Sequence, residues 1–261
     1  MTTISLLTVC YNSGATIADT LRSVAAQTYP EIEHIIVDGA SKDDTMAVVA
    51  RDGGHVTRTV SEPDKGLYDA YNKALGLATG EVIGYLNSDD LYAHDRVIER
   101  VMRAFEDPSV EAVHGDLFYV KQDDVSQVTR YWKSRPMPRT VVRQGFHPPH
   151  PTLFLRRSVY DRVGQFDLNY RMAADVEFMN RVFYRFGVKD VHLPDVMVRM
   201  REGGVTGGNA ASIKLQNDEV RRGQAANGIR YPLPLFYARK IVDRSLQRIR
   251  ARLGALPTPG A

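Results

Sequence analysis

The sequence is poor in several features that would point to whole classes of protein. It has one cysteine and one tryptophan in 261 residues. A single cysteine excludes an internal disulfide and fits a reducing compartment. Since Cys10 ends the apolar run that begins at Ile4, we interpret it as a buried core thiol rather than a nucleophile.

Long hydrophobic runs are also absent. A membrane-spanning helix needs about 20 predominantly apolar residues, and no stretch of this chain reaches that length. No cationic segment of the signal-peptide kind precedes the first apolar run. From these absences we expect a cytoplasmic protein.

Neither positive nor negative charge is in large excess over the chain as a whole. The 34 Lys and Arg residues nearly balance 31 Asp and Glu residues, and the net charge of +3 indicates no nucleic-acid partner. The exception is Leu235–Leu253, which spaces apolar residues three or four apart among arginines. This pattern predicts a basic amphipathic helix. We expect it to lie on the anionic inner face of the cell membrane or to pack on protein, either the core or a second copy in a homodimer.

What the chain does contain is a regular alternation of apolar segments and helical patterns. Continuous apolar strands separated by single helices predict an α/β fold whose central, mostly parallel sheet has helices on both faces. The four predicted strands are Ile4–Cys10, Ile32–Val37, Val56–Val60 and Val82–Leu86. Later segments add a strand pair (Ala112–Val120 with Val128–Trp132), a proline-rich loop (134–151) and a helix (Ala174–Phe186).

Each of the four strands is followed by an acid or an amide. These residues are Asn12, Asp38, Asp64, and the pair Asp89 and Asp90. In open parallel sheets ligands bind beyond the carboxyl ends of the strands. Four successive strand ends therefore predict one polar binding rim.

Five short motifs occur in the order and spacing of glycosyltransferase family 2, and the chain resembles the bacterial polysaccharide branch of that family, including colanic-acid-type enzymes. The motifs are Thr8–Asn12, Val37–Ser41, Glu62–Gly66, Asn87–Asp90 and Gly164–Asp167. The similarity extends from Ile4 to Thr206, and both Tyr85–Asp90 and Ala173–Asp175 are similar to the forms of that branch.

The resemblance implies a GT-A fold and an inverting enzyme. Such an enzyme moves a hexosyl or deoxyhexosyl group from a nucleotide-diphospho-sugar to a hydroxyl of a saccharide or lipid-linked acceptor, in surface polysaccharide or glycolipid assembly. We expect residues 1–210 to form the catalytic domain, with a nucleotide-sugar-binding half (1–107) and an acceptor-binding half (108–210). A helical extension, 211–261, follows.

The resemblance also implies a divalent metal, Mn²⁺ or Mg²⁺, at Asp89 and Asp90. Hard oxygen ligands suit these ions, and a metal acting as a Lewis acid stabilises a departing diphosphate. Asn87 stands where the commonest form of the motif has its first acid, which removes one charge from the site. The simpler alternative is that the two aspartates only shape a turn before Tyr92.

Further donor contacts follow from the same resemblance. Asp38 is expected to contact the nucleobase or ribose, although a loop acid that caps the next helix is an alternative. Arg201 is a candidate partner for the diphosphate, in a glycine-rich loop, Arg199–Gly208, that folds over the donor. The remaining donor-binding candidates are Thr8, Val9, Tyr11, Asp64, Lys65, Asn87 and Asp89.

Asp175 is the candidate catalytic base, since an inverting transfer needs one carboxylate that takes the proton of the acceptor hydroxyl. It aligns with the acid that begins the corresponding helix in the family. The alternative is an aspartate favoured in a first helical turn by the helix dipole alone. His150, Glu177 and Trp132 are candidate acceptor contacts, with packing as the alternative for the histidine and the tryptophan.

Two rival functions remain at this point. A sugar nucleotidyltransferase would need a glycine-rich basic loop after the first strand, and Tyr11–Thr16 has one glycine and no Lys or Arg. A catalytically degenerate nucleotide-sugar-binding protein is favoured by Asn87 alone. Retention of the four aspartates at positions 38, 89, 90 and 175 argues against it.

Overall fold

The computed structural model describes residues 2–203, 210–230, 232–252 and 256–260. Residues 204–209, which include Thr206 and much of the loop predicted to fold over the donor, lie outside the described residues. The strands are β1 (Ile4–Cys10), β2 (Ile32–Asp38), β3 (Arg58–Ser61), β4 (Val82–Tyr85), β5 (Leu91–Tyr92), β6 (Ala112–Val120), β7 (Val128–Trp132), β8 (Phe154–Arg156) and β9 (Asp190–Arg201).

Helices connect and cover these strands. They are α1 (Ile17–Ala25), α2 (Thr45–Asp52), α3 (Leu67–Leu77), α4 (Val97–Ala104), α5 (Arg139–Val142), α6 (Arg157–Val163), α7 (Ala174–Met179), α8 (Ala210–Ala226) and α9 (Leu233–Arg252). The predicted helix Ala174–Phe186 is thus divided: α7 continues as a π-helical segment, Asn180–Arg185. The predicted loop 134–151 contains the short helix α5.

The strands form one sheet in the order β3-β2-β1-β4-β8-β6-β9-β5, with β7 paired to β6. Strands β3, β2, β1 and β4 are mutually parallel, as the alternation of apolar strands and helices predicts. The second half is mixed: β8 runs antiparallel to β4 and to β6, while β9 is parallel to β6. A short polar connection joins β6 to β7, and such a connection permits only an antiparallel pair.

Apolar layers cover both faces of the sheet. One layer packs α3, α6 and α7 on strands that include β1 and β4, and the other packs α4. In α4, the buried side chains are Val97, Ile98, Val101 and Met102, which recur at the helical spacing of three and four residues. These layers fix the sheet, and the loops at its edge form the site.

The C-terminal part of the chain is joined to this core. Ile229, after α8, is buried in the same apolar layer as α3 and α7. The predicted amphipathic helix is present as α9, within one or two residues of its predicted limits. Beyond it, the Gly260 carbonyl accepts hydrogen bonds from Arg96 and Arg100. In the described segments, no helix combines the length and the apolar character needed to span a bilayer.

Candidate active site

Loops at the carboxyl ends of β1, β2 and β4 are tied together at one edge of the sheet. The Ser13 amide donates to Thr45 Oγ1 at 2.7 Å, and its hydroxyl lies 2.8 Å from that of Ser88. Asn12 adopts a left-handed conformation with φ of 51°, which asparagine tolerates better than most residues. The predicted polar rim is therefore built by contacts between its own loops.

Tyr11 and Asp64 form one corner of this rim over the backbone of Gly39. Tyr11 is 60% exposed. A Cβ at Gly39 would lie 2.4 Å from an Asp64 carboxylate oxygen and 3.3 Å from the Tyr11 ring, so only glycine fits there. Lys65 is exposed beside them. An exposed aromatic ring, a carboxylate and a cation at one corner suit a nucleoside with its phosphates.

Asp38 is placed differently from the prediction. It is fully buried, and its carboxylate accepts hydrogen bonds from the Ser41 amide at 3.0 Å and the Ser61 hydroxyl at 2.6 Å. The Ser41 hydroxyl also donates to it. With these partners, the Asp38 side chain holds the ends of β2 and β3 together, and the expected contact with a base or ribose is corrected to a structural role beneath the rim.

The side chains of Thr8 and Val9 are likewise unavailable to a donor. Thr8 is fully buried, and its hydroxyl lies 3.0 Å from Nε2 of His34. Val9 is 4% exposed and packs in the apolar layer of the sheet. Because β1 is buried over its whole length, its side chains point into the protein until Tyr11. The prediction that Thr8 and Val9 bind the donor is therefore corrected for their side chains, which pack inside the sheet.

Asp90 is the most deeply placed acid of the rim. It is fully buried, and one of its oxygens accepts a hydrogen bond from the Asn87 amide at 3.2 Å. The Asn87 carbonyl oxygen in turn accepts from the Tyr71 hydroxyl. Burial and the neighbouring Asp89 carboxylate raise the pKa of Asp90 well above its ordinary value. A bound cation would oppose both effects and favour the ionised form.

The two aspartates fit a divalent cation, though not as a closed protein cage. Among the described residues, no hydrogen-bond donor reaches Oδ1 of Asp90, and a buried carboxylate oxygen of this kind needs a partner. Asp89 is only half-buried beside it. The described side chains contain no group of three or more acids, histidines or cysteines placed to hold a metal. Two carboxylates with remaining positions filled by phosphate and water is the ligand set that Mg²⁺ commonly accepts.

Arg201 supports this acid pair, and its guanidinium is bonded to protein groups. It is 6% exposed, and its guanidinium donates to the Asp89 carbonyl oxygen at 2.8 Å and to the Gln122 carbonyl oxygen at 3.1 Å. It also forms an ion pair with Asp19. Because the N–H groups of its guanidinium are engaged in these contacts, the predicted contact of Arg201 with a diphosphate is corrected to a role in fixing the backbone at Asp89.

Asp175 opens α7, as predicted, and faces the same region as the acid pair. The Tyr68 hydroxyl donates to Asp175 Oδ1 at 2.9 Å. Burial and the Asp175 charge raise the pKa of Tyr68 well above its ordinary value, so the phenol keeps its proton and remains a donor. Tyr71 lies within electrostatic range of Asp175, Asp89 and Asp90 together. The structure thus brings the three acids around one pair of tyrosines on α3.

An aromatic floor lies under this group of acids. The His150 ring is 5.6 Å, centroid to centroid, from each of Tyr71, Tyr85 and Phe166. Burial lowers the pKa of His150 despite the opposing charge of Asp175, so the imidazole is neutral near pH 7. Trp132 is half-buried and packs edge-on against His147 at 5.4 Å. The charge of Asp175 reaches His150, whereas the described ring contacts of Trp132 are with Tyr119 and His147. The acceptor contacts of both residues stay predictions.

Glu177 is not an acceptor contact. It is 5% exposed, and both of its oxygens accept from Arg181 Nε at 2.9 Å. Asn227 donates to it at 3.1 Å. Both oxygens of the Glu177 carboxylate are thus bonded to protein groups, and the carboxylate joins α7 to the end of α8. The prediction for Glu177 is wrong because spacing along a helix shows a neighbour of Asp175 without showing which face carries it.

Three contributors to the site are absent from the sequence-based prediction. Tyr68 and Tyr71 lie one turn apart on α3, and their spacing shows a buried face without showing where the hydroxyls bond. Glu219 of α8 is 4% exposed and accepts hydrogen bonds from the amides of Arg171, Met172 and Ala173 at 3.0, 2.7 and 3.1 Å. An acid beside Asp218 on a polar helix far along the chain gives no sequence signal for such a clamp. It fixes the loop immediately before Asp175.

Comparison with known proteins bears on this arrangement. Residues 5–164 match the family described as glycosyl transferase family 2. An uncharacterised glycosyltransferase of Mycobacterium tuberculosis is 30% identical over 181 residues, which are 69% of this chain and 68% of that protein. A PGL/p-HBAD biosynthesis glycosyltransferase of Mycobacterium bovis is 28% identical over 183 residues, 69% of each protein.

Solved structures share the fold. The Staphylococcus aureus TarS fragment 1–349 in complex with UDP-GlcNAc matches 95% of this chain and 73% of its own, with a TM-score of 0.70 and 19% identity. Mycobacterium tuberculosis glucosyl-3-phosphoglycerate synthase, in complex with Mn²⁺, UDP and its glucosyl product, matches 88% of this chain and 81% of its own, with a TM-score of 0.61 and 18% identity. These likenesses confirm the predicted GT-A architecture.

Proposed function

The chain belongs to glycosyl transferase family 2, a family of nucleotide-sugar-dependent enzymes of glycan biosynthesis, and from that premise we propose a metal-dependent, inverting transfer of a hexosyl or deoxyhexosyl group to an acceptor hydroxyl. The observation that carries the proposal is the convergence of Asp89, Asp90 and Asp175 on Tyr68 and Tyr71. Acids from two distant parts of the chain meet around these tyrosines, and the proposal places the diphosphate and the reacting sugar between them.

The donor side of the site is proposed at Tyr11, Asp64 and Lys65, with the diphosphate at Asp89 and Asp90. These two carboxylates would hold the divalent cation, and Asp90 Oδ1 is the oxygen that lacks a protein partner among the described residues. When bound, the cation acts as a Lewis acid that stabilises the leaving diphosphate. Solved relatives of this fold contain Mn²⁺ with GDP-mannose or UDP, which supports Mn²⁺ as the first ion to test.

The base is proposed to be Asp175. Tyr68 fixes one oxygen of Asp175. The other carboxylate oxygen takes the proton of the acceptor hydroxyl as the hydroxyl oxygen attacks C1 of the sugar. The bond between C1 and the diphosphate oxygen breaks as the new bond forms on the opposite face, so the configuration at C1 inverts. Glu219 keeps the loop of residues 171–173 in place, which holds Asp175 at the required distance.

The acceptor is proposed to be a lipid-linked saccharide or glycolipid that reaches the site from the side of His150. A relative that is 28% identical is named for PGL/p-HBAD biosynthesis, which supports a glycolipid product. His150 is neutral and close to Asp175, so it can bond to an acceptor hydroxyl without competing for the proton. Because the proposed acceptor is lipid-linked, we place the reaction at the cytoplasmic face of a membrane.

We also propose that the catalytic unit extends beyond residue 210 to the end of α8. Glu219 and Asn227 bond to the segment that carries Asp175 and Glu177, and Ile229 is buried in the main apolar layer. A catalytic domain that ended at residue 210 would lose all three. The helical extension proper then begins near α9.

A binding and product assay tests the function. A thermal-shift screen of UDP-, GDP- and dTDP-sugars with and without Mn²⁺ should select one donor that stabilises the protein only with the ion. With that donor and a glycolipid or saccharide acceptor, NMR of the product should show the anomeric configuration opposite to the donor's. Retention of configuration would overturn the mechanism. Diphosphate release from a sugar phosphate and a nucleoside triphosphate would instead show a nucleotidyltransferase, and binding without transfer to any acceptor would show a degenerate enzyme.

A further inference from the structure

Helix α9 packs on the protein with its polar side. Arg239 donates to the Gln144 carbonyl oxygen at 2.7 Å, and its guanidinium lies 3.1 Å from the centre of the Phe146 ring. About two turns further on, Gln247 accepts a hydrogen bond from Arg130 of β7 at 2.6 Å. Asp243, between them, pairs with Arg239 at 3.5 Å. Residues 239, 243 and 247 recur every four positions and form the face that touches the body of the protein.

The other side of α9 exposes an apolar stripe. Its members are Leu235 (51% exposed), Ile241 (66%), Val242 (54%), Leu246 (43%) and Ile249 (49%). In a helix that only completes a core, these side chains would point inward. Here the segregation is reversed: polar groups face the protein, and the large aliphatic side chains face away from it.

Charge indicates what covers this stripe, which we call the α9 stripe. Six Lys or Arg residues lie in α9 against one acid, and that acid is already paired with Arg239 on the inner face. Arg248 and Arg252 are exposed beside the stripe. Across a two-fold contact between two copies of α9, these cations would meet like charges, with no acid of the helix free to offset them. Anionic lipid headgroups offer the opposite charge together with an apolar layer below it.

We propose that the α9 stripe is a docking surface for an anionic lipid bilayer. The helix lies in the plane of the membrane, its aliphatic side chains enter the boundary between headgroups and acyl chains, and its arginines bind headgroup phosphates. The binding of the α9 stripe to a membrane does not depend on the proposed function. Only its consequence for the acceptor rests on that function. Because α9 holds the loop at Gln144 and Phe146, which continues to His150, docking turns the acceptor side of the site toward the membrane.

Co-sedimentation with vesicles tests the proposal without any donor or acceptor. The full chain should bind vesicles containing 30% phosphatidylglycerol and should bind pure phosphatidylcholine at least tenfold more weakly. The double variant I241E/L246E should lose binding by tenfold or more, and R248E/R252E should lose a similar amount together with the salt dependence. A matched control is I213E, which places the same charge at a residue of α8 that is 42% exposed; it should bind like the parent.

Three results would overturn the proposal: equal binding to both kinds of vesicle, unchanged binding of I241E/L246E, or a dimer in analytical ultracentrifugation that this variant dissociates. Circular dichroism and thermal unfolding establish that each variant is folded, which its exposed positions favour. Transfer to a soluble acceptor fragment separates this proposal from the proposed function. If I241E/L246E fails to bind vesicles and still glycosylates the fragment, docking is confirmed; if the parent binds vesicles and transfers nothing, the proposed function alone fails.

Discussion

The rim of the site and the layer directly beneath it contain the same kinds of side chain and use them in opposite ways. At the rim, Oδ1 of Asp90 has no hydrogen-bond partner among the described residues, and Asp175 accepts a hydrogen bond from Tyr68 through Oδ1. Beneath it, Asp38 and Glu219 accept hydrogen bonds from two hydroxyls and several backbone amides. The difference lies in the partners and not in the residue type.

The comparison shows what a family motif contains. Of the acids in the matching motifs, Asp90 keeps an oxygen with no partner among the described residues, whereas the Asp38 carboxylate is bonded to the loops around it. A buried carboxylate whose partners are all protein groups contributes rigidity, whereas one that lacks a partner marks a place for a ligand. Four substitutions test this division, from the largest expected effect to the smallest.

The sharpest test of the rim is Asp175→Asn. Loss of the base should lower kcat by about 10³-fold, while the asparagine oxygen still accepts from Tyr68 and donor affinity stays unchanged. Steady-state transfer and calorimetric titration of the donor measure the two quantities. The control is Asp167→Asn in the preceding turn, where the side chain accepts from the Asn169 amide; its kcat should stay near that of the parent. If Asp175→Asn transfers sugar at the rate of the parent, Asp175 is not the catalytic base.

Asp90→Asn tests whether the unpartnered oxygen serves a cation. The variant should need at least roughly 10-fold more Mn²⁺ for half-maximal activity, because one of two anionic ligands is gone and loss of even an outer-shell partner costs roughly 10- to 100-fold in metal affinity. Chelation should abolish transfer by the parent, and added Mn²⁺ should restore it. Asp95→Asn, which removes a charge from a neighbouring loop, serves as the matched control. Identical Mn²⁺ titrations for parent and Asp90→Asn would contradict the assignment.

Glu219→Gln addresses the supporting layer. The neutral amide binds the three backbone amides before Asp175 more weakly, so we expect kcat to fall about tenfold, or 1.4 kcal/mol in the barrier, with the donor KM unchanged. Asp218→Asn on the exposed side of α8 should change neither. An equal effect on kcat and KM would indicate a general loosening of the site instead of a displaced base.

Glu177→Gln should affect stability alone. Breaking its buried pair with Arg181 is expected to lower the free energy of unfolding by about 3 kcal/mol, with kcat unchanged well below the melting temperature. The matched control is Glu99→Gln, an exposed pair with Arg103 at the same spacing, which should cost about 0.5 kcal/mol or less. Urea denaturation measures both. A large loss of kcat in folded Glu177→Gln would instead support the original prediction that Glu177 contacts the acceptor.

The fold was largely accessible from sequence because its parallel half follows local rules. Apolar strands such as Ile4–Cys10 and helices with apolar residues at three and four residue spacing predict both their identity and their layering. The antiparallel insertion of β8 between β4 and β6 was not accessible, since pairings over such distances leave no local pattern. The division of Ala174–Phe186 into an α-helix and a π-helical segment is another feature that periodicity does not resolve.

The site was accessible only in part. The order of strands predicted Asp89 and Asp90 at one edge of the sheet, and the resemblance to the family indicated Asp175. The structure has Asp89, Asp90 and Asp175 within electrostatic range of Tyr71. The sequence could not show that Arg201 and Glu177 are bonded to other protein groups, because the direction of a side chain depends on packing between distant segments. For the same reason it could not identify Glu219, whose importance comes entirely from the backbone amides of another part of the chain.

Crystals soaked with Mn²⁺ and UDP give the most direct measurement. The anomalous difference map should contain one strong peak within about 2.5 Å of an Asp89 or Asp90 carboxylate oxygen, in contact with the diphosphate, with Tyr11 against the nucleoside and Asp175 on the far side of the sugar position. A nucleotide bound away from this rim, or an ion held by residues other than these two aspartates, would contradict the account.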